Sequence, residues 1–192
     1  MDNLVLYNGG YRILKGYVPF NDYWLITGPL LDYLNSIFFY LLGVSWKSFL
    51  IHSSLFNVLI SVSTYLLLVN LNLKKEWSLF YSILFAVLMY PSVGTPFVDH
   101  HSTIFILLAF YSLIFGINNG NYFYISIIPT LSVLSFLSKQ TPSAYGILGL
   151  FFLIIFYIIL EKKSAKKVII SLIKGSIFSL IILFIFFLFN KN

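Results

Sequence analysis

Residues 48–73 carry no charged side chain, His52 being neutral at pH 7, and the same holds for 77–90, 102–117, 122–138 and 142–160. A sixth run, 168–189, is interrupted by Lys174 alone. Hydrocarbon offers a backbone no hydrogen-bond partner, so apolar runs approaching ~20 residues become membrane-spanning helices. The rest of the composition leaves no other home for them. With 59% hydrophobic and 9% charged residues, the chain has too little polar surface to cover a water-soluble globule. The fold class this dictates is all-α, a polytopic transmembrane helix bundle of about six spans forming a single domain.

Short polar breaks separate the runs. Lys74-Lys75-Glu76 ends the first, Pro91, Gly94 and Pro96 open a loop after the second, and Asn118-Asn119-Gly120-Asn121 reverses the chain after the third. Pro129 places a kink in the fourth span, and Pro142 suits the first turn of the fifth. Lys74, Lys75, Lys162, Lys163, Lys166 and Lys167 all fall in loops on one side, whereas the opposite loops offer Lys139 and Lys191. By the positive-inside bias the lysine-rich side is cytoplasmic. That explains the net charge of +6 as topology and excludes nucleic acid as a partner. The chain has no cysteine, which removes disulfides and thiol chemistry. Met1-Asp2-Asn3 lacks the basic segment that opens a signal peptide.

Ahead of the spans lies a stretch of a different kind. Residues 1–28 read as an outer polar loop and 29–45 as a juxtamembrane helix, with 46–192 forming the bundle. Pro29 can begin that helix and Gly43 can end it. It is too short to cross a bilayer and carries Asp32 and Asn35. With the juxtamembrane helix lying along the surface, the polar stretch and the loop 91–101 share the outer face.

Three groups of side chains have chemistry to offer. Asp99-His100-His101, at the outer mouth of the third span, combines a carboxylate with two imidazoles, a set able to act as a base, bind phosphate or contribute to a metal site. A divalent metal is therefore a candidate cofactor, although no further histidine or cysteine stands at ligand spacing. Lys139 is a cation at the membrane boundary, suited to a lipid phosphate or simply to reaching water. Arg12 and Lys15 are the cations of the first stretch, and the arginine fork fits phosphate oxygens. His52 and Lys174 read as structural.

The order of these features resembles the GT-C membrane glycosyltransferases, the superfamily of protein mannosyltransferases and aminoarabinose transferases. The residues that carry the resemblance are Asp2, Gly16-Tyr17-Val18-Pro19, Asp22-Tyr23-Trp24, Gly28-Pro29-Leu30 with Tyr33, and Leu41-Leu42-Gly43. Val98-Asp99-His100 is similar to the acid of the second outer loop, and Leu137-Ser138-Lys139-Gln140-Thr141-Pro142 to a motif between two later spans. Asn3 stands where the family usually has a second acid and Gly28 where some branches have lysine. The span that normally precedes the acidic loop is missing, so the chain is expected to be partial.

The resemblance implies a GT-C-like fold and an inverting glycosyltransferase. It would move a sugar from a polyprenyl-phosphate donor to a lipid, glycan or protein acceptor, with the active site on the extracytoplasmic side of a bacterial inner (plasma) membrane. Asp2 would be the catalytic base and Asp99 a second acid. Arg12, Lys15, Lys139, His100 and His101 would hold the phosphate and substrate. The rival readings are a small membrane transporter or lipid flippase, and a non-catalytic membrane scaffold.

Overall fold

The computed structural model describes the backbone of residues 2–90 and 94–189 and the side chains of 4–90 and 94–184. Its described residues form eight helices: α1 (Asp2–Leu14), α2 (Leu30–Leu42), α3 (Trp46–Asn70), α4 (Lys75–Met89), α5 (Val98–Asn119), α6 (Tyr122–Ser138), α7 (Gln140–Leu160) and α8 (Lys162–Phe189). The only pairing of β type among them is an isolated bridge between Pro19 and Tyr23. Four helices are long and apolar enough to cross a membrane: α3, α5, α7 and α8. Together they make the chain an integral membrane protein. Of the six expected spans, α4 with 15 residues and α6 with 17 are short, reaching only ~22 and ~26 Å at 1.5 Å per residue against a hydrocarbon core of ~30 Å.

Side-chain bonds between helices fix their directions. His52 meets His101, Thr64 meets Tyr111 and Asn70 meets Asn118, so α3 and α5 run in parallel. Asn57 reaches back to Ala86 in α4, and Ser102 meets Ser135 while Gly116 abuts Ile125, so α4 and α6 run the opposite way. Gly146 packs on Ile106, and Gly175 on the Ser126 backbone, which aligns α7 with α5 and α8 with α6. Helix α5 is central, packed against α3, α6 and α7. The alternation expected from the loops is therefore present. Lys74, Lys75 and the Lys162–Lys167 region lie at one end, and the α1–α2 hairpin, Asp99 and Lys139 lie at the other.

Two apolar cores hold this arrangement. Ile106, Ala109 and Leu113 of α5 meet Ile125 and Ile128 of α6, Leu150 of α7 and Val168 of α8. At the other end Leu6 of α1, Leu31 and Phe39 of α2, Phe49 of α3 and Val98 of α5 form the second. This second core attaches the N-terminal hairpin.

Three expectations shift in the structure. Half of the expected outer loop, Asp2–Leu14, is helical despite Gly9-Gly10, because α2 packs directly on the two glycines. Asp99, His100 and His101 belong to the first turn of α5 rather than to a loop, since that helix begins at Val98. The break between α6 and α7 is a single residue, Lys139, in extended conformation at both helix ends. A continuous helix would bring the Pro142 ring against the Ser138 carbonyl four residues earlier, which favours a break there, although α6 itself runs on through Pro129. Pro91, expected to break the second span, lies outside the described residues. Tyr90 just before it is extended, as a residue preceding proline tends to be.

Helix α2 buries polar residues beside Leu31 and Phe39 while exposing apolar ones. Asp32, Asn35 and Ser36 are buried, whereas Ile37, Tyr40 and Leu41 face outward. An outward apolar face belongs against lipid. At 13 residues α2 is too short to cross, so its polar face is turned into the protein at the membrane boundary.

Candidate functional site

The polar residues of the hairpin end form two adjoining clusters. In the first, Asp32 is only 2% exposed. It sits against Gly9 so closely that a Cβ there would fall 2.3 Å from its carboxyl atoms. Its partner is Tyr23, whose hydroxyl donates to Oδ2 at 2.9 Å. Burial pushes the Asp32 carboxyl up to about 6, the Tyr23 hydrogen bond and the Arg12 charge pulling the other way. Burial and the neighbouring carboxyl likewise push the Tyr23 phenol well above its ordinary range, so it remains a donor. The Arg12 guanidinium lies over the Tyr23 ring, 5.1 Å from its centroid, and has no ion-pair partner among the described residues. Arg12, Gly9 and Asn8 of α1 and Tyr23, Trp24 and Leu25 of the following loop line a cavity of about 200 Å³.

Local backbone chemistry positions this loop. Gly16 takes φ +88 after α1, a conformation that costs glycine nothing. The Asp22 carboxylate accepts from the Val18 amide at 2.7 Å and closes the turn. Gly28 then passes the end of α6, where an added Cβ would lie 1.8 Å from the Leu137 carbonyl oxygen. The loop is thereby docked two residues from Lys139.

The second cluster joins α2, α3, α5 and the α6–α7 junction. Asn35 donates to the Leu6 carbonyl at 3.2 Å and meets His52 Nδ1 through its own oxygen. His52 Nε2 faces His101 Nε2 at 3.1 Å, and His101 Nδ1 meets the Phe97 carbonyl at 3.1 Å. Beside it, the Lys139 ammonium donates to Asp99 at 2.8 Å, with the two side chains 31% and 39% exposed. This is the one ion pair among the described residues. The Lys139 carbonyl, released by the helix break, accepts from Ser102 and Ser143.

The structure brings Asp99 and Lys139 into direct contact and places Arg12 at the same end of the bundle. Lys15 instead lies over the Tyr11 ring, at 5.5 Å. His101 is fully buried against His52, out of reach of a substrate. His100 is buried too, with neither ring nitrogen hydrogen-bonded among the described residues. The side chain of Asp2, the expected base, lies outside the described residues; its position in α1 is ten residues from Arg12, ~15 Å along the helix. No three His, Asp or Glu side chains among the described residues converge as a metal site.

None of Asp32, Tyr23 and His52 was expected in a functional role: Asp32 stood out only as a polar residue of the short helix, Tyr23 only as part of the resemblance, and His52 as structural. Asp32 and Asn35 stand three residues apart on an otherwise apolar helix, hence on one face, and that spacing was the available signal. His52 offered none, since its partner His101 lies on another helix. Compared with known proteins, the chain matches no family model, no curated sequence and no solved structure.

Proposed function

We propose that the protein is a membrane glycosyltransferase that takes a sugar from a polyprenyl-phosphate donor and passes it to a hydroxyl-bearing lipid, glycan or protein acceptor. The observation that carries this reading is the accessible Asp99–Lys139 pair at the end of the bundle that also holds Arg12, a cation without an ion-pair partner among the described residues. Sugar transfer needs a carboxylate to accept the acceptor's proton and cations to stabilise the departing phosphate. Asp99 is the carboxylate, at 39% exposure open to an acceptor. Lys139 is the cation released to phosphate when the donor competes for it, and Arg12 supplies a second charge from the cavity it shares with Tyr23 and Trp24.

The lysine-rich loops at the far end support an extracytoplasmic location for this site. The aromatic cavity wall supports a ring-shaped substrate, because tyrosine and tryptophan present broad apolar faces with a polar edge. The test is to reconstitute the protein in liposomes and add radiolabelled polyprenyl-phosphate sugars with lipid, glycan or peptide acceptors. Transfer that falls roughly 100- to 10,000-fold in Asp99→Asn supports the assignment. No transfer by the wild-type protein to any acceptor class, or undiminished transfer by Asp99→Asn, refutes it.

A further inference from the structure

The described residues leave one side of the N-terminal hairpin uncovered. Leu4, Val5, Asn8, Tyr11, Arg12 and Lys15 recur at helical spacing along α1 and all are exposed, while Leu6, Gly9 and Gly10 on its other side pack toward α2. Leu4 and Val5 are 67% and 62% exposed, and Trp24 and Ile26 of the following loop reach 80% and 92%. Trp24 stands beside the α1 stripe, because it lines the same cavity as Val5, Asn8 and Arg12. The Phe20 ring meets it edge-on, with centroids 6.1 Å apart. In water, these apolar side chains would forgo the burial that holds such a hairpin in place.

We infer that this surface is seated in the lipid leaflet at the hairpin end of the bundle, with Leu4, Val5 and Trp24 against the upper lipid chains and Arg12 and Lys15 on lipid phosphates. Tyr7 of α1 sets the depth. Its ring stacks on Trp46 with centroids 6.0 Å apart, and Trp46 opens α3, a helix long and apolar enough to span. A tryptophan at the start of a span belongs at the membrane–water boundary, so α1 is held at that level. Along α1 the apolar residues come first and the cations last. From Val5 to Arg12 the helix rises ~10 Å, against an interfacial region of roughly 5–8 Å per leaflet, so a tilted α1 with Val5 in hydrocarbon presents Arg12 at the phosphates. Long basic side chains extend that reach by keeping their stems along apolar surface and their heads among polar groups.

The charges of the hairpin fit a phosphate surface. Neither Arg12 nor Lys15 has an ion-pair partner among the described residues, and each lies over a tyrosine ring, Tyr23 and Tyr11 respectively. The carboxylates nearby are engaged within the hairpin, Asp22 with the Val18 amide and Asp32 with the Tyr23 hydroxyl. The planar arginine fork matches phosphate oxygens. A polyprenyl-phosphate headgroup offers Arg12 the same oxygens, so the seating is compatible with the reaction proposed above and does not depend on it.

Two measurements test the seating, both on protein reconstituted in vesicles of mixed phosphatidylcholine and phosphatidylglycerol with no sugar donor present. Arg12 is the only arginine of the chain, so in arginine-labelled protein the guanidinium carbon reports from one place. Carbon–phosphorus solid-state NMR should show its signal dephased by lipid phosphorus, and because the sequence is unaltered this arm needs no variant to fold. Trp46→Phe with Trp77→Phe leaves Trp24 as the sole tryptophan. Its emission should lie to the blue of indole in water, be quenched by lipids spin-labelled high on the acyl chain, and be spared by aqueous iodide. A guanidinium carbon untouched by lipid phosphorus overturns the inference, as does Trp24 emission quenched by iodide and not by labelled lipid. Blue-shifted emission that neither agent quenches also overturns it, because the surface would then be covered by protein rather than lipid.

Discussion

Replacing Asp32 by asparagine should stabilise the protein at neutral pH. The carboxyl is 2% exposed and burial pushes it from its ordinary 3.8 up to about 6. A folded-state value above the unfolded one means that the folded chain binds the proton more tightly. The associated stability is fully present below pH 4 and is lost as pH rises through 6. One unit in pKa corresponds to ~1.4 kcal/mol, so above pH 6 the ionised carboxylate costs the fold up to about 3 kcal/mol relative to acid. Asparagine keeps the shape and can still accept from the Tyr23 hydroxyl, but it has no charge to desolvate. The attraction to Arg12 is already contained in that net shift, so Asp32→Asn should be more stable by up to ~3 kcal/mol at pH 7. Unfolding in mixed detergent micelles, titrated with SDS between pH 4 and pH 8, measures the difference. The two proteins should converge as the pH approaches 4 and separate between 4 and 6.5. Parallel curves, or a variant less stable than its parent at pH 7, would refute the argument that burial dominates this carboxyl.

Three other outcomes follow from contacts described above. Gly28→Ala should weaken the docking of the loop by ~1–3 kcal/mol, because its Cβ would fall 1.8 Å from the Leu137 carbonyl oxygen; hydrogen exchange of residues 17–28 would then accelerate while that of α5 stays unchanged. In a double-mutant cycle, Asp99→Asn and Lys139→Gln should couple by less than ~1 kcal/mol in stability, since both side chains are about a third exposed; a coupling of several kcal/mol would contradict solvent screening of the pair. The chain contains no cysteine, so single cysteines report topology directly: Asn21→Cys and Ser164→Cys should react with an impermeant maleimide from opposite sides of sealed vesicles, and labelling from the same side would refute the alternating helix arrangement.

Much of the architecture was readable because it depends on local chemistry. Uncharged apolar runs become helices wherever water is absent. Gly43 and Gly120 end α2 and α5 with positive φ, as glycine allows at no steric cost. Helix α1 was not readable on those terms. Gly9-Gly10 lowers its intrinsic helix propensity, and only the approach of α2 explains the choice, with Asp32 and Asn35 occupying the space where two side chains would otherwise stand. The short reach of α4 and α6, by contrast, was visible in the short uncharged runs 77–90 and 122–138.

By itself the sequence determined that the chain lives in a membrane as a set of apolar helices, with its lysines concentrated in alternate loops, because transfer of each segment out of water depends on that segment alone. Which polar groups meet was decided by the tertiary structure. Asp99 and Lys139 are separated by 40 positions, and His52 and His101 by 49, and each pair forms only when neighbouring helices pack in register. A buried hydrogen bond needs its donor and acceptor within about 3 Å, a condition that only the packed helices can impose.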